Sequence, residues 1–262
     1  MIDRLVKYCA RKYNAALGAP TLQLGTLEYY RAHNPRFAIT DPGEATHTVA
    51  FREGVELKLT PELGNRLFGG NIGSDGGDLT MVAHQSGAHL KATVNNAYIF
   101  CVSRCTPEDP PSLLRAVEFD SSYDSMWEIT DRLAFRDAVG AALLEGITLN
   151  HLTEHAIRAL ASVPIKDFGL QVRMLDKPVE YLDSREHKIE VPDDAASVPD
   201  YKDAMARAVF TKEKRDERQR EHRFVYLVTH PRLGYLSVKR CPIQIPLNRL
   251  NRAIQALHAD GT

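Results

Sequence analysis

The chain is poor in the features that would settle its class at once. Its four cysteines, at positions 9, 101, 105 and 241 of 262, are too few and too scattered for a disulfide framework. Cys101 and Cys105 stand four apart, but Cys101 lies in the apolar run from Ala97 to Ser103. A thiol there behaves as a small buried hydrophobe, and no further ligands at tight spacing complete a zinc site. Acids and bases nearly cancel, 34 against 33, for a formal charge of −1. No global field draws such a chain to nucleic acid or anionic lipid, so any basic surface is local. No apolar run approaches the ~18 residues of a membrane span. Met1 to Arg4 lacks the basic-then-apolar opening of a secretory signal, so a cytoplasmic setting with no membrane partner is expected. Internal repeats, low-complexity tracts and clear linkers are missing too.

What is present suffices for a substantial core, with 44% apolar and 26% charged residues. Residues 1–105 read as β-rich, with short strands near 4–9, 21–30, 47–60, 79–83, 89–94 and 97–103. A helix-like connection, Ala10 to Pro20, joins the first two. Thr106 to Pro111 breaks the chain, and residues 106–165 read as a mostly helical insert, with helices over Asp131 to Leu144 and Thr153 to Ala161. Strands return at Leu170 to Met174 and Val179 to Leu182. The charged stretch 203–220 reads as one helix feeding a strand at 223–228. A hairpin-like Gly234 to Val238 and a short helix over Asn248 to His258 close the chain. The simplest organisation is one α+β domain spanning 1–262.

Polar residues at strand ends are the candidates for chemistry. Lys7 and Tyr8 end the first strand, Gly25 and Thr26 followed by Tyr29, Tyr30 and Arg31 end the second, and Glu221 opens an apolar strand far downstream. Together these elements resemble the ADP-ribosyltransferase-like fold. That resemblance implies a mixed, mainly antiparallel split sheet and an NAD co-substrate held between the ends of the first two strands. It implies Glu221 as the catalytic carboxylate, with Lys7, Tyr8, Gly25, Thr26, Tyr29 and Tyr30 around the cofactor. Lys7 departs from the family's usual His or Arg, and a charged lysine accepts no hydrogen bond. Arg31, Gly70 and Arg223 are the expected substrate contacts. Gly70 falls in a stretch, Phe68 to Asp78, with five glycines in eleven residues, suited to a lid or target-recognition loop. No metal is expected.

A second resemblance runs through Lys7-Tyr8, Leu24 to Arg31, Asp41 to Glu44, Tyr98 to Ser103, Ser125 to Trp127, Val179 to Tyr181 and Glu221 to Phe224. It is to a large bacterial family of uncharacterised domains found in mobile and defence-associated settings. It implies a toxin or anti-phage effector acting on a macromolecular acceptor, protein or nucleic acid, with room for an antitoxin partner.

Plainer readings stay open. Tyr29 and Tyr30 adjoin, so one of them faces the core. Glu221 closes a mixed-charge run of the kind that usually forms a solvated helix face, and a strand-end lysine often simply faces water. Asp41, Glu56 and Lys58 imitate the carboxylate spacing of a metal-dependent nuclease. His151 and His155 share a helical spacing without a third ligand. A non-enzymatic sensor or adaptor is the third class.

Overall fold

In the computed structural model, residues 3–31, 46–51, 56–59, 79–82, 88–93, 96–164, 169–184, 186–189, 207–248, 250 and 252–257 are described. Along the chain run β1 (Arg4–Cys9), β2 (Thr21–Thr26), α1 (Leu27–Arg31), β3 (Thr46–Phe51), β4 (Glu56–Leu59), β5 (Leu79–Val82) and β6 (Ala88–Thr93). Then come β7 (Tyr98–Cys105), α2 (Leu113–Phe119), β8 (Ser125–Ile129), α3 (Arg132–Gly146), α4 (Glu154–Ala161), β9 (Gln171–Pro178), β10 (Glu180–Leu182) and β11 (Glu186–Ile189). The last elements are β12 (Thr211–Glu213), β13 (Glu221–His230), β14 (Gly234–Tyr235), β15 (Ile243–Pro246) and β16 (Ile254–Leu257). This is an α+β architecture with mainly antiparallel pairing. Two compact units share the chain: residues 1–42, 95–179 and 218–262 form the larger, and 43–94 with 180–217 the smaller. Among the described residues no helix is long and apolar enough to cross a membrane.

In the smaller unit, β11 pairs parallel to β3 and β3 antiparallel to β6, while β4 pairs with β5 and β10 with β12. The larger unit is built on one sheet, ordered β14-β13-β7-β1-β8-β16, with β9 on the second edge of β13 and β2 joined to both β7 and β15. Its core lies on one face. Phe100, Trp127, Phe135 and Phe224 are all buried, and their rings pack at centroid distances of 5.2 to 6.5 Å. α3 lays Phe135, Val139, Ala142 and Leu143, one helical stripe, onto this face. Its start is fixed by Asp131, whose Oδ1 accepts the Ala134 N–H at 2.9 Å. Gly140 lets α3 approach β9 closely, since a Cβ there would overlap Met174.

Several expectations from periodicity are corrected. The connection Ala10 to Pro20 holds two single turns of 3₁₀ helix, Arg11–Tyr13 and Ala15–Leu17, the second started by the Asn14 side chain accepting the Ala16 N–H at 2.9 Å. The second strand stops at Thr26, not near Tyr30. Thr26 Oγ1 accepts the Tyr29 N–H at 3.2 Å and Asn96 Oδ1 the Glu28 N–H at 2.8 Å, which satisfies the donors of an incipient helix. The helical insert contains a strand, β8, paired with β1 from Leu5↔Ile129 to Cys9↔Ser125. The charged stretch 203–220 is not one helix: helical backbone at 207–209 gives way to β12 and a 3₁₀ segment, Lys214–Gln219, and that segment buries none of its residues. A run with no apolar stripe gains nothing from packing as a longer helix. The expected last helix is instead β16, which takes the second edge of β8 and buries Ile254.

Candidate active site

The sheet of the larger unit is split along one edge of β7. β1 pairs there through Arg4↔Cys105, Leu5↔Arg104 and Val6↔Ser103, and β2 through Gly25↔Ile99 and Thr26↔Tyr98. Between these ladders Phe100, Cys101 and Val102 have no strand partner on that edge among the described residues. β1 meanwhile follows β8 as far as Cys9. An unpaired backbone carbonyl needs another donor, and the Lys7 amine supplies one. Its Nζ donates to the Cys101 carbonyl oxygen at 2.9 Å and stands 4.9 Å from the Phe100 ring centroid. Lys7 therefore closes the parting between the two strands.

β13 pairs with the other edge of β7 through Glu221↔Ser103, His222↔Val102 and Arg223↔Cys101. Side chains alternate across a strand, so Val6, Tyr8, Cys101, Ser103, Glu221 and Arg223 share one face while Phe100, His222 and Phe224 share the core face. Arg223 Nε donates to Glu221 Oε1 at 2.5 Å, with the side chains 0% and 7% exposed. Arg220, just before, holds a left-handed φ of 44°, an unfavoured conformation for arginine. Its carbonyl accepts the Arg104 N–H at 2.8 Å, and its guanidinium pairs with Asp109, which also pairs with Arg115. Burial works against the Asp109 charge, but the hydrogen bond from Arg220 and the Arg115 charge outweigh it and hold this carboxyl below its usual pKa.

The Tyr30 ring lies directly on Gly25. A Cβ at that position would overlap the ring and come within 2.8 Å of the hydroxyl, so a side chain at Gly25 and the ring exclude each other. Burial pushes the Tyr30 hydroxyl well above its ordinary pKa, and the acidic groups of Cys101, Glu221 and Tyr123 add to the shift. Burial likewise raises the Cys101 thiol, with Glu221 reinforcing the effect both through its charge and by hydrogen bonding. Cys101 and Glu221 share one face of the sheet beside the split. A cavity of about 120 Å³ opens over it, lined by Lys7, Cys101 and Glu221 from the strands, Phe119 from α2, and Tyr123 and Arg218. Tyr8 also lines it, and its hydroxyl anchors the start of α2 by accepting the Ser112 N–H at 3.1 Å. Burial raises both the Tyr8 and the Tyr123 hydroxyl to about 12.

The expected residues thus fall into groups. Lys7, Tyr8 and Glu221 line one cavity, with Gly25 and Tyr30 beside it and Tyr29 edge-on to Tyr30 at 5.4 Å. Thr26 is corrected from cofactor contact to helix cap: it is fully buried, and its pairing with Tyr98 turns it to the core face. Arg223 is corrected from substrate contact to partner of Glu221, since its side chain is closed to solvent. Arg31 ends α1 away from the cavity lining, and its charge is felt by the Tyr235 hydroxyl. Gly70 and Asp41 lie outside the described residues, and Glu56 and Lys58 belong to β4 of the smaller unit. His151 turns back on its own backbone, Nδ1 accepting the Thr148 N–H at 3.0 Å.

Sequence reasoning missed Cys101, Tyr123, Asp109 and Arg115. For Cys101 a signal exists, because it sits between Phe100 and Val102, and a residue between two core positions of a strand faces the other way. All four cysteines are free thiols, and Cys101 lines the cavity with Lys7 and Glu221. Among the described residues no group of three or more His, Cys, Asp or Glu side chains is placed to hold a metal ion. Compared with known proteins, the chain matches no family model, no curated protein and no solved structure.

Proposed function

We propose that this chain is an NAD-consuming transferase of the ADP-ribosyltransferase-like kind that modifies a macromolecule in the cytoplasm as a toxin or anti-phage effector, with Glu221 as its catalytic carboxylate. The observation that carries the reading is the split on β7, beside which Lys7, Cys101 and Glu221, from three separate strands, line one cavity. NAD supplies an ADP-ribosyl group: the bond from ribose to nicotinamide breaks with its electron pair leaving on nicotinamide, while a lone pair of the acceptor forms the new bond and the acceptor's proton departs.

The residues beside the split fit such a substrate. Glu221, fixed by Arg223 at 2.5 Å, offers a carboxylate of set orientation where positive charge develops at the ribose carbon. The same carboxylate can take the acceptor's proton. Tyr30, packed against Gly25, offers an aromatic ring for a heteroaromatic ring to stack on. Lys7 keeps the parting of β1 and β2 in place through the Cys101 carbonyl and adds a positive charge at the cavity wall. The cavity wall excludes bulk water from Glu221, which strengthens each of these interactions.

Expression in bacteria of the wild type against Glu221→Gln, following growth and the NAD pool, tests the reading. Growth arrest with NAD loss in the wild type alone is expected. Equal toxicity of both forms without NAD loss contradicts it, and nucleic-acid cleavage that requires a divalent metal would favour a nuclease.

A further inference from the structure

The cavity carries a second pattern that the transfer chemistry does not use. Arg104, Arg115, Arg218 and Arg220 line it together with Lys7, against two acids, Asp109 and Glu221. Five basic side chains against two acidic ones leave an excess of three positive charges, on a chain whose whole formal charge is −1. The Arg115 and Arg220 side chains remain 46% and 36% exposed despite their pairing with Asp109, and Arg218 is exposed with no ion pair among the described residues. All three can therefore meet a ligand. Phe119 and Tyr123 line the same cavity, so flat aromatic surface lies beside planar guanidinium groups. Glu221 sits deeper, at 6% exposure.

We infer that this opening is a docking surface for single-stranded nucleic acid. Guanidinium groups match phosphate oxygens in geometry as well as charge, and aromatic rings stack on bases of any sequence. An acidic peptide would satisfy the arginines but leave Phe119 and Tyr123 without a flat partner. A base inside a duplex cannot reach a carboxylate at the bottom of a cleft, whereas an unstacked base of a single strand can. The inference rests on the transferase reading only for its consequence, that the acceptor atom belongs to a nucleobase. Asp109 acts as a competitor in this arrangement: it occupies Arg115 and Arg220 when no phosphate is present.

Fluorescence anisotropy of the full chain without NAD tests the surface. The probes are a labelled mixed-sequence single-stranded DNA of ~12 nucleotides, its duplex, and a glutamate-rich peptide of matching charge. Three phosphate contacts at ~0.7 each predict a log–log salt slope of about −2 for the single strand. Arg218→Ala should reduce that slope by about 0.7 and weaken binding about threefold to tenfold. Asp109→Asn should tighten binding, because it frees two arginines. A slope near zero, equal binding of the peptide, preference for the duplex, or indifference to both substitutions overturns the inference. Nicotinamide release by the wild type in the absence of oligonucleotide judges the transferase reading separately. Release without strand binding refutes the docking surface alone, and strand binding without release refutes the transferase alone.

Discussion

On one side of β13, Phe224, Tyr226 and Val228 are completely closed to solvent, and on the other side Arg223 is too, with Glu221 nearly so. The two faces of one strand thus reach the same burial by opposite means. The first follows from ordinary packing: Phe224 meets Phe135 at 5.2 Å and Phe100 at 6.5 Å, and removing such rings from water stabilises the fold directly. The second has no such justification. A buried ion pair sacrifices hydration that its attraction only roughly offsets, and apolar replacements are often as stable. Its position beside the split, with Arg220 in a left-handed conformation next to it, fits the chemistry proposed for the Glu221 face.

The comparison can be broken by substitution. Phe224→Ala should cost about 3–5 kcal/mol in urea denaturation, the range for a buried aromatic truncated to alanine, and should lower activity only through the folded fraction. A loss below about 1 kcal/mol would mean that the aromatic cluster is not the core. On the opposite face, Arg223→Met should cost about 3 kcal/mol, because it strands the Glu221 carboxylate. Combining it with Glu221→Leu should recover most of that stability and leave no activity. If the double variant stays as unstable as the single one, the pair is structural and the contrast between the faces collapses.

Smaller effects sharpen the picture. Gly25→Ala should cost about 1–3 kcal/mol and displace Tyr30, visible as a changed tyrosine signal in near-ultraviolet circular dichroism. An unchanged spectrum would separate Tyr30 from β2. The weakest effect concerns His222, on the core face beside Asp176 at 3.4 Å, with Arg132 and Arg104 also near. Burial depresses its pKa below 6.5, Asp176 opposes that shift, and the two arginines reinforce it. The unfolded chain then binds more protons than the folded one below about pH 6.5, so this contribution is present above that pH and is lost as pH falls. His222→Gln should flatten the acid limb of the stability curve by at most about 1.4 kcal/mol per pH unit. A steeper limb would show that His222 is protonated in the fold.

Tyr30, expected at a strand end, lies in α1, but Lys7, Tyr8 and Glu221 were legible as polar residues of short strands, because alternation is local. So was α3, from its apolar stripe and Asp131. The trade of a helix for a strand at Ser125–Ile129 was not legible, since this five-residue segment becomes a strand by pairing with β1 and β16. The same holds for Ile254–Leu257. Arg223 reads locally as a surface arginine, and only the packing of β13 beside β7 and β9 encloses it. The split itself forms where β1 and β2 meet β7, a strand distant from both in sequence, so no single stretch announces it.

The central claim is that Glu221, set beside the parting of β1 and β2, drives loss of nicotinamide from NAD. Release of nicotinamide by the purified full chain, wild type against Glu221→Gln, measures this directly, with matched thermal melts to show that both are folded. The account predicts release by the wild type and a fall of about 100-fold or more in the variant, as for removal of a single charge-stabilising group. Equal rates from two folded proteins, or no release by the wild type, would contradict it.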